Sequence, residues 1–332
     1  MFYFVYLLLA VMLSYPKIMR MINIKIRLLC LKMTRVLNSL FILIIATSTS
    51  FAQDDSTLHR VKALDLPVLK SNLNVYYSSG YKKRGKVVKS YIQDAMRFYK
   101  KKLNITTDLS LAVLTRSNWE QITRIPFDIP FASDSPHVVL LPANLGEGVI
   151  TSGAGKTKHL AKAETLQELK SAGYTFEQAE MKYVDFIGLH ELGHLIAEKL
   201  EISFYPGKPN KWYNEFLASY IAYAYLREKN PALATMINTL TEHYIGTMPM
   251  QRYTSLEDFE KLYSNVGPEN YGWYQNKFFQ LVVKIYDRKG LNFIKELVSS
   301  SFPKKEKTSI ESLLQNLEKI TPGFISWEKE LK

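Results

Sequence analysis

The stretch IGLHELGHLIAEKL, Ile187 to Leu200, has HELGH at its centre, which places His190, Glu191 and His194. Residues four apart on a helix share a face, so His190 and His194 can reach one ion together. Glu191 is one residue along and points to the side of that ion. There it can take a proton from a metal-polarised water. The bland reading of the same residues is an apolar helix carrying two core or surface histidines and a capping glutamate. The rest of the site has to separate the two.

A catalytic zinc takes three protein ligands and leaves a position open. The third ligand should come from elsewhere in the fold. KWYNEFLASYIAYAYL, Lys211 to Leu226, reads as a strongly apolar helix with Glu215 near its start. A carboxylate there is costly without a partner, and a zinc ion is such a partner. The competing role for Glu215 is compensation of the helix dipole in the first turn. Between His194 and Glu215 the chain has room for a helix end, the turn YPGKPNKW and a new helix start.

HELGH followed by NEFLAS resembles the gluzincin metallopeptidases, the group that holds thermolysin and the zinc aminopeptidases. The resemblance implies a zincin-like fold, one zinc ion held by His190, His194 and Glu215, and Glu191 as general base. It also implies support from the N-E pair's Asn214 and from the position four after the ligand glutamate. Family members often carry an aspartate there to orient a histidine; this chain has Ser219, a weaker acceptor. The family's cleft is edged by a strand that pairs with extended substrate, and SPHVVLLPAN, Ser135 to Asn144, is the candidate. The aminopeptidase branch reads a substrate amine with a G-x-M-E-N segment, which this chain lacks. That branch also has an oxyanion-stabilising tyrosine on a later helix. PENYGWYQNKFFQLVVKIYDRKG offers Tyr271 and Tyr274 on its apolar face, with Tyr271 preferred because it is nearer the helix start. For either tyrosine the competing role is ordinary aromatic packing. His243 is a further histidine that could face the cleft, against a plain core or surface role.

The pattern along the chain suits an α+β fold. LNVYYSS, LSLAVLT and SPHVVLLPAN read as strands, with the amphipathic helix VVKSYIQDAMRFYKKKL among them. After Gly148 the pattern turns helical to the end. The expected organisation is an α/β front lobe over residues 53–165 and a helical back lobe over 166–332 that carries the motif, the two forming one catalytic unit. SGAGKT, Ser152 to Thr157, imitates a phosphate loop, but the glycine required five residues earlier is Ile150. It reads as a flexible loop, and no nucleotide partner is expected.

The formal charge of +12 hints at nucleic acid. Yet Lys17, Arg20, Lys25, Arg27, Lys32 and Arg35 all precede residue 53, and no acidic residue does. The remainder has 37 basic and 31 acidic residues, a net +6 with no dense basic run. From Met33, MTRVLNSLFILIIATSTSFAQ has the form of a secretory signal cleaved after Ala52, with residues 1–32 a mis-called extension. The alternative is a membrane anchor within Phe2 to Tyr15, which is short for a span. Cys30 is the chain's one cysteine, so the mature protein would have neither disulfides nor thiol ligands. These readings converge on an exported, periplasmic or secreted zinc metallopeptidase acting on peptide or protein substrates. The rival is a non-catalytic peptide-binding or scaffold protein on the same frame.

Overall fold

The computed structural model describes residues 56 to 331, apart from 134, 145–147, 149, 151–156, 205–209 and 301–307. The expected signal segment and extension, and all of SGAGKT except Thr157, lie outside the described residues. The fold is α+β: a five-stranded mixed sheet in the amino-terminal part, twelve α-helices among the described residues, and a mostly helical carboxy-terminal region.

The strands are β1 (Val68–Leu69), β2 (Val75–Tyr77), β3 (Ser110–Leu114), β4 (Phe131–Ala132) and β5 (Val138–Pro142), in the order β1-β2-β3-β5-β4. β2, β3 and β5 run parallel, while β1 and β4 pair antiparallel at the two edges. Helix α1 (Thr57–Ala63) precedes the sheet, α2 (Lys82–Leu103) links β2 to β3, and α3 (Arg116–Ile122) follows β3. Alternate residues serve two cores. Tyr77, Leu111, Val113, Val139 and Leu141 join the main core with Val88 and Ile92 of α2. Tyr76, Ala112, Leu114, Val138 and Leu140 pack on the other face with Val61 of α1 and Trp119 of α3. Burial on both faces explains why SLAVL and VVLLP are apolar without alternation.

The expected edge strand does not lie at an edge. β5, the core of SPHVVLLPAN, lies inside the sheet between β3 and β4. The edge beyond it is β4, which pairs Phe131 with Leu140 and Ala132 with Val139. A strand buried on both faces and paired on both sides is a centre strand, which is what an unbroken apolar run signals. A two-residue strand is too short to show any period.

The helical region contains α4 (Ala163–Ser171), α5 (Phe176–Lys199), α6 (Lys211–Lys229), α7 (Pro231–Thr247), α8 (Leu256–Leu262), α9 (Pro268–Lys289), α10 (Asn292–Ser299), α11 (Ile310–Ile320) and α12 (Phe324–Leu331). α5 opens with a reciprocal capping box between Thr175 and Gln178, which fixes where the HELGH helix starts. α6 is buried on nearly every side from Trp212 to Leu226, as expected of a helix that is apolar all round. It packs between α5 and α9. No helix among the described residues is long and apolar enough to cross a membrane.

Candidate metal centre

Helices α5 and α6 meet backbone to backbone. A Cβ placed on Gly193 would lie 2.4 Å from the Ala218 carbonyl oxygen and 3.0 Å from Ala218 Cα. Only glycine permits this crossing, and it brings Glu215 and Ser219 of α6 against the histidines of α5. His190 Nε2 lies 3.0 Å from His194 Nε2 and 3.2 Å from Glu215 Oε2, with His194 Nε2 3.7 Å from that same oxygen. His190 and Glu215 are buried.

On its other side His190 Nδ1 lies 2.9 Å from Ser219 Oγ. Without a metal, Nε2 carries the proton that it donates to Glu215; a metal on Nε2 would leave the ring proton on Nδ1, where Ser219 Oγ can accept it. Burial works against a charge on Glu215, but hydrogen bonds from His190 and His194 outweigh it and hold its pKa well below the usual carboxylate range. Burial also opposes charge on His194, yet its bond to Glu215 prevails and its pKa rises. Glu215 is the fifth residue of α6, past the first turn. The capping role there belongs to Glu260 of α8, which accepts the Asn210 and Trp212 N–H groups at 2.9 and 3.0 Å. The dipole explanation of Glu215 therefore fails on position.

Glu191 joins the two histidines in a group whose ligand atoms lie within 4.8 Å of one another, and this group could hold a metal ion. Its Oε2 accepts the backbone N–H of Ala132 at 2.8 Å, so the edge strand β4 touches the motif directly. Burial raises the Glu191 pKa, Glu215 raises it further, and the histidines and the Ala132 N–H partly offset both. Glu215 faces the same two imidazoles from α6, and a cation among these side chains would relieve the repulsion between the two carboxylates.

The other sequence candidates are dispersed. Asn214 braces the segment before α6, its Oδ1 accepting from Phe204 N at 2.9 Å and its Nδ2 donating to Phe204 O at 3.0 Å. The Tyr274 hydroxyl is committed to the Ser255 carbonyl at 2.7 Å, in the core, so this phenol serves packing. Tyr271 stands nearer: its ring meets Tyr263 edge-on at 5.8 Å, and burial, then the Glu215 charge, push its pKa well up. His243 packs edge-on to Phe176 at the start of α5 and approaches Thr157 Oγ1 at 3.3 Å. Phe176 and His190 are separated by about 20 Å of helix, so His243 belongs to another part of the molecule.

Two residues at the site escaped the sequence reading. Tyr263 donates its hydroxyl to Glu215 Oε1 at 2.7 Å, and Gln275 donates Nε2–H to Glu215 Oε2 at 2.9 Å. Gln275 follows Tyr271 by four on α9, so a polar residue one turn along from a candidate was the available signal. Tyr263 gave none, since it ends a short helix among 21 tyrosines. Its backbone, at φ 44° and ψ −113°, is a conformation costing about 1–3 kcal/mol for a non-glycine residue. A cavity of about 720 Å³ lies on the neighbouring face of α5, lined by Tyr91, Phe98, Lys182, Asp185 and Leu233. It contains none of the four residues His190, Glu191, His194 and Glu215.

Comparison with models of protein families, with curated proteins and with solved structures finds no match to this chain.

Proposed function

We propose that this chain is a zinc metallopeptidase of gluzincin type, with zinc held by His190, His194 and Glu215 and with Glu191 as general base. One observation carries the reading: His190 Nε2, His194 Nε2 and Glu215 Oε2 stand 3.0, 3.2 and 3.7 Å apart. Donors about 2.0–2.1 Å from a tetrahedral zinc are separated by about 3.3 Å, so the donor set fits the ion in kind and in spacing. Bound zinc supplies Lewis acidity to a scissile carbonyl and to water.

The chain's own residues supply the rest. Glu191 has one oxygen on the Ala132 N–H, which leaves Oε1 to accept a proton. Its raised pKa brings it nearer to neutrality, where a carboxylate is a more effective base and can return the proton to a leaving amine. Ser219 fixes the His190 ring. β4 is the edge strand beside the motif among the described residues, in place of β5; its Ala132 N–H is taken by Glu191, so an extended peptide would pair there through the Ala132 carbonyl.

Purified protein should contain about one zinc per chain and digest a broad peptide library in a chelator-sensitive way. Glu191→Gln should keep the metal and lose the digestion. Protein that holds no zinc, or an active Glu191→Gln variant, refutes the mechanism. Stoichiometric zinc without digestion of any library would favour the scaffold reading.

A further inference from the structure

We infer that Tyr263 is the positioning residue that restricts Glu215 to coordination through a single oxygen, and that its strained backbone persists for that purpose. The inference rests on the proposal that Glu215 is a metal ligand. A carboxylate can bind an ion through one oxygen or both, and the choice changes the coordination number. Here Oε2 faces both histidines, while Oε1 is occupied by the Tyr263 phenol at 2.7 Å. The phenol therefore draws one oxygen away from the ion's position. Gln275, at 2.9 Å from Oε2, fixes the rotation of the carboxylate about its own axis.

Tyr263 reaches that position by an unusual route. It caps the carboxy-terminal end of α8 at φ 44° and ψ −113°, where glycine is the comfortable residue. Glu260, three residues earlier, grips the amino-terminal end of α6 through two N–H groups and so sets α8 against the helix bearing Glu215. The Tyr263 ring is then held on three sides: by Phe259 at 5.5 Å, by Tyr271 at 5.8 Å and by the Lys211 ammonium 4.8 Å from its centroid. A chain selected only for stability would relax this residue to glycine or move the turn. The ring's placement over-determines the strain, and the one polar group the ring delivers to the site is its hydroxyl, on a ligand oxygen.

The test uses the full chain, Zn²⁺ and Co²⁺ as probes, and two variants. Tyr263→Phe removes one hydroxyl and keeps every ring contact. Its zinc affinity, measured against a competing chromophoric chelator, should fall about 10- to 100-fold, the usual effect of losing a hydrogen bond to a ligand. Its cobalt form should show weaker visible d–d absorption as Glu215 turns bidentate and the coordination number rises. Tyr263→Gly removes ring and strain together, and should lose zinc affinity by at least as much while its metal-free melting temperature falls less than loss of an aromatic residue would otherwise cause. A purely structural tyrosine gives the opposite pattern, with wild-type zinc affinity and cobalt spectrum in Tyr263→Phe, and that result overturns the inference. Glu215→Ala separates the two levels. If it binds zinc as tightly as the wild type, the ligand assignment itself is wrong; if it loses zinc while Tyr263→Phe does not, only the role of Tyr263 fails.

Discussion

The glycine of HELGH offers a sharp test of how the site is built. Replacing Gly193 with alanine puts a methyl group 2.4 Å from a backbone oxygen on α6, and it must reach at least about 3.0 Å. No side chain can turn aside, because the obstructing atoms, Ala218 O, C and Cα, are all backbone. The two helices have to part. Overpacking of this kind costs about 1–3 kcal/mol. Alanine in a helix interior returns about 1 kcal/mol relative to glycine. The metal-free protein should thus lose up to about 2 kcal/mol, a melting shift of up to about 4 °C downward for a chain of this size. Metal affinity should suffer more, because the crossing that widens is the one that sets Glu215 Oε2 3.2 Å from His190; a fall of at least about tenfold is expected. Gly246→Ala is the control. Nothing lies within 4 Å of a Cβ there, and the residue is in a helix and exposed, so the same substitution should stabilise by up to about 1 kcal/mol. Differential scanning calorimetry of both variants without metal, and a chelator competition with it, read out the two effects. If Gly193→Ala follows Gly246→Ala in direction and keeps wild-type metal affinity, the reasoning from close helix approach is refuted.

Ser219→Ala should weaken metal binding about 10- to 100-fold by releasing His190 Nδ1, whereas Ser219→Asp should strengthen it by offering a charged acceptor, both measured by chelator competition. Tyr274→Phe should cost about 1–2 kcal/mol of stability through the unpaired Ser255 carbonyl and leave metal affinity unchanged, so a loss of metal binding would place this phenol at the site after all. Glu180 provides a pH test away from the metal centre. Burial raises its pKa from 4.5 to about 7, and its enclosed Oε1 has no hydrogen-bond partner among the described residues. A folded pKa above the unfolded one means the penalty is absent below about pH 4.5, grows through the interval and is complete above pH 7. Glu180→Gln should therefore stabilise at pH 8 but not at pH 4, by roughly 1 kcal/mol once solvent screening is allowed for. Equal effects at both pH values would show that the carboxylate ionises freely in the fold.

The legible parts of the sequence were those with a period or a motif. HELGH gave the α5 histidines, the isolated charge in an apolar helix gave Glu215, and Ser219 was found by its distance from Glu215; the structure brings all of these together. The α+β class followed from two apolar runs around a long amphipathic helix. Other features were beyond reach for physical reasons. β4 is a two-residue strand, and its contact with Glu191 is a backbone N–H that any residue type but proline would supply. Tyr274 shares an apolar face with Tyr271, and only the third dimension separates a phenol aimed at a carbonyl from one that meets the Tyr263 hydroxyl beside Glu215. Tyr263 acts through an irregular cap, where no periodicity exists.

Three departures from local preference meet around one carboxylate. Glycine in the interior of α5 costs about 0.5–1 kcal/mol relative to alanine. Glu215 is ionised and buried within an apolar helix. Tyr263 holds a backbone conformation suited to glycine. Each breaks a local preference, and elsewhere the same elements follow the rules closely: a capping box opens α5, and a serine cap opens α8. Foldable sequences concentrate their violations where function demands them. Gly193 admits Glu215 to the histidines, Glu215 faces them with one oxygen, and Tyr263 holds the other. These departures make physical sense together if the volume between them is shaped for a cation, and each makes little sense alone.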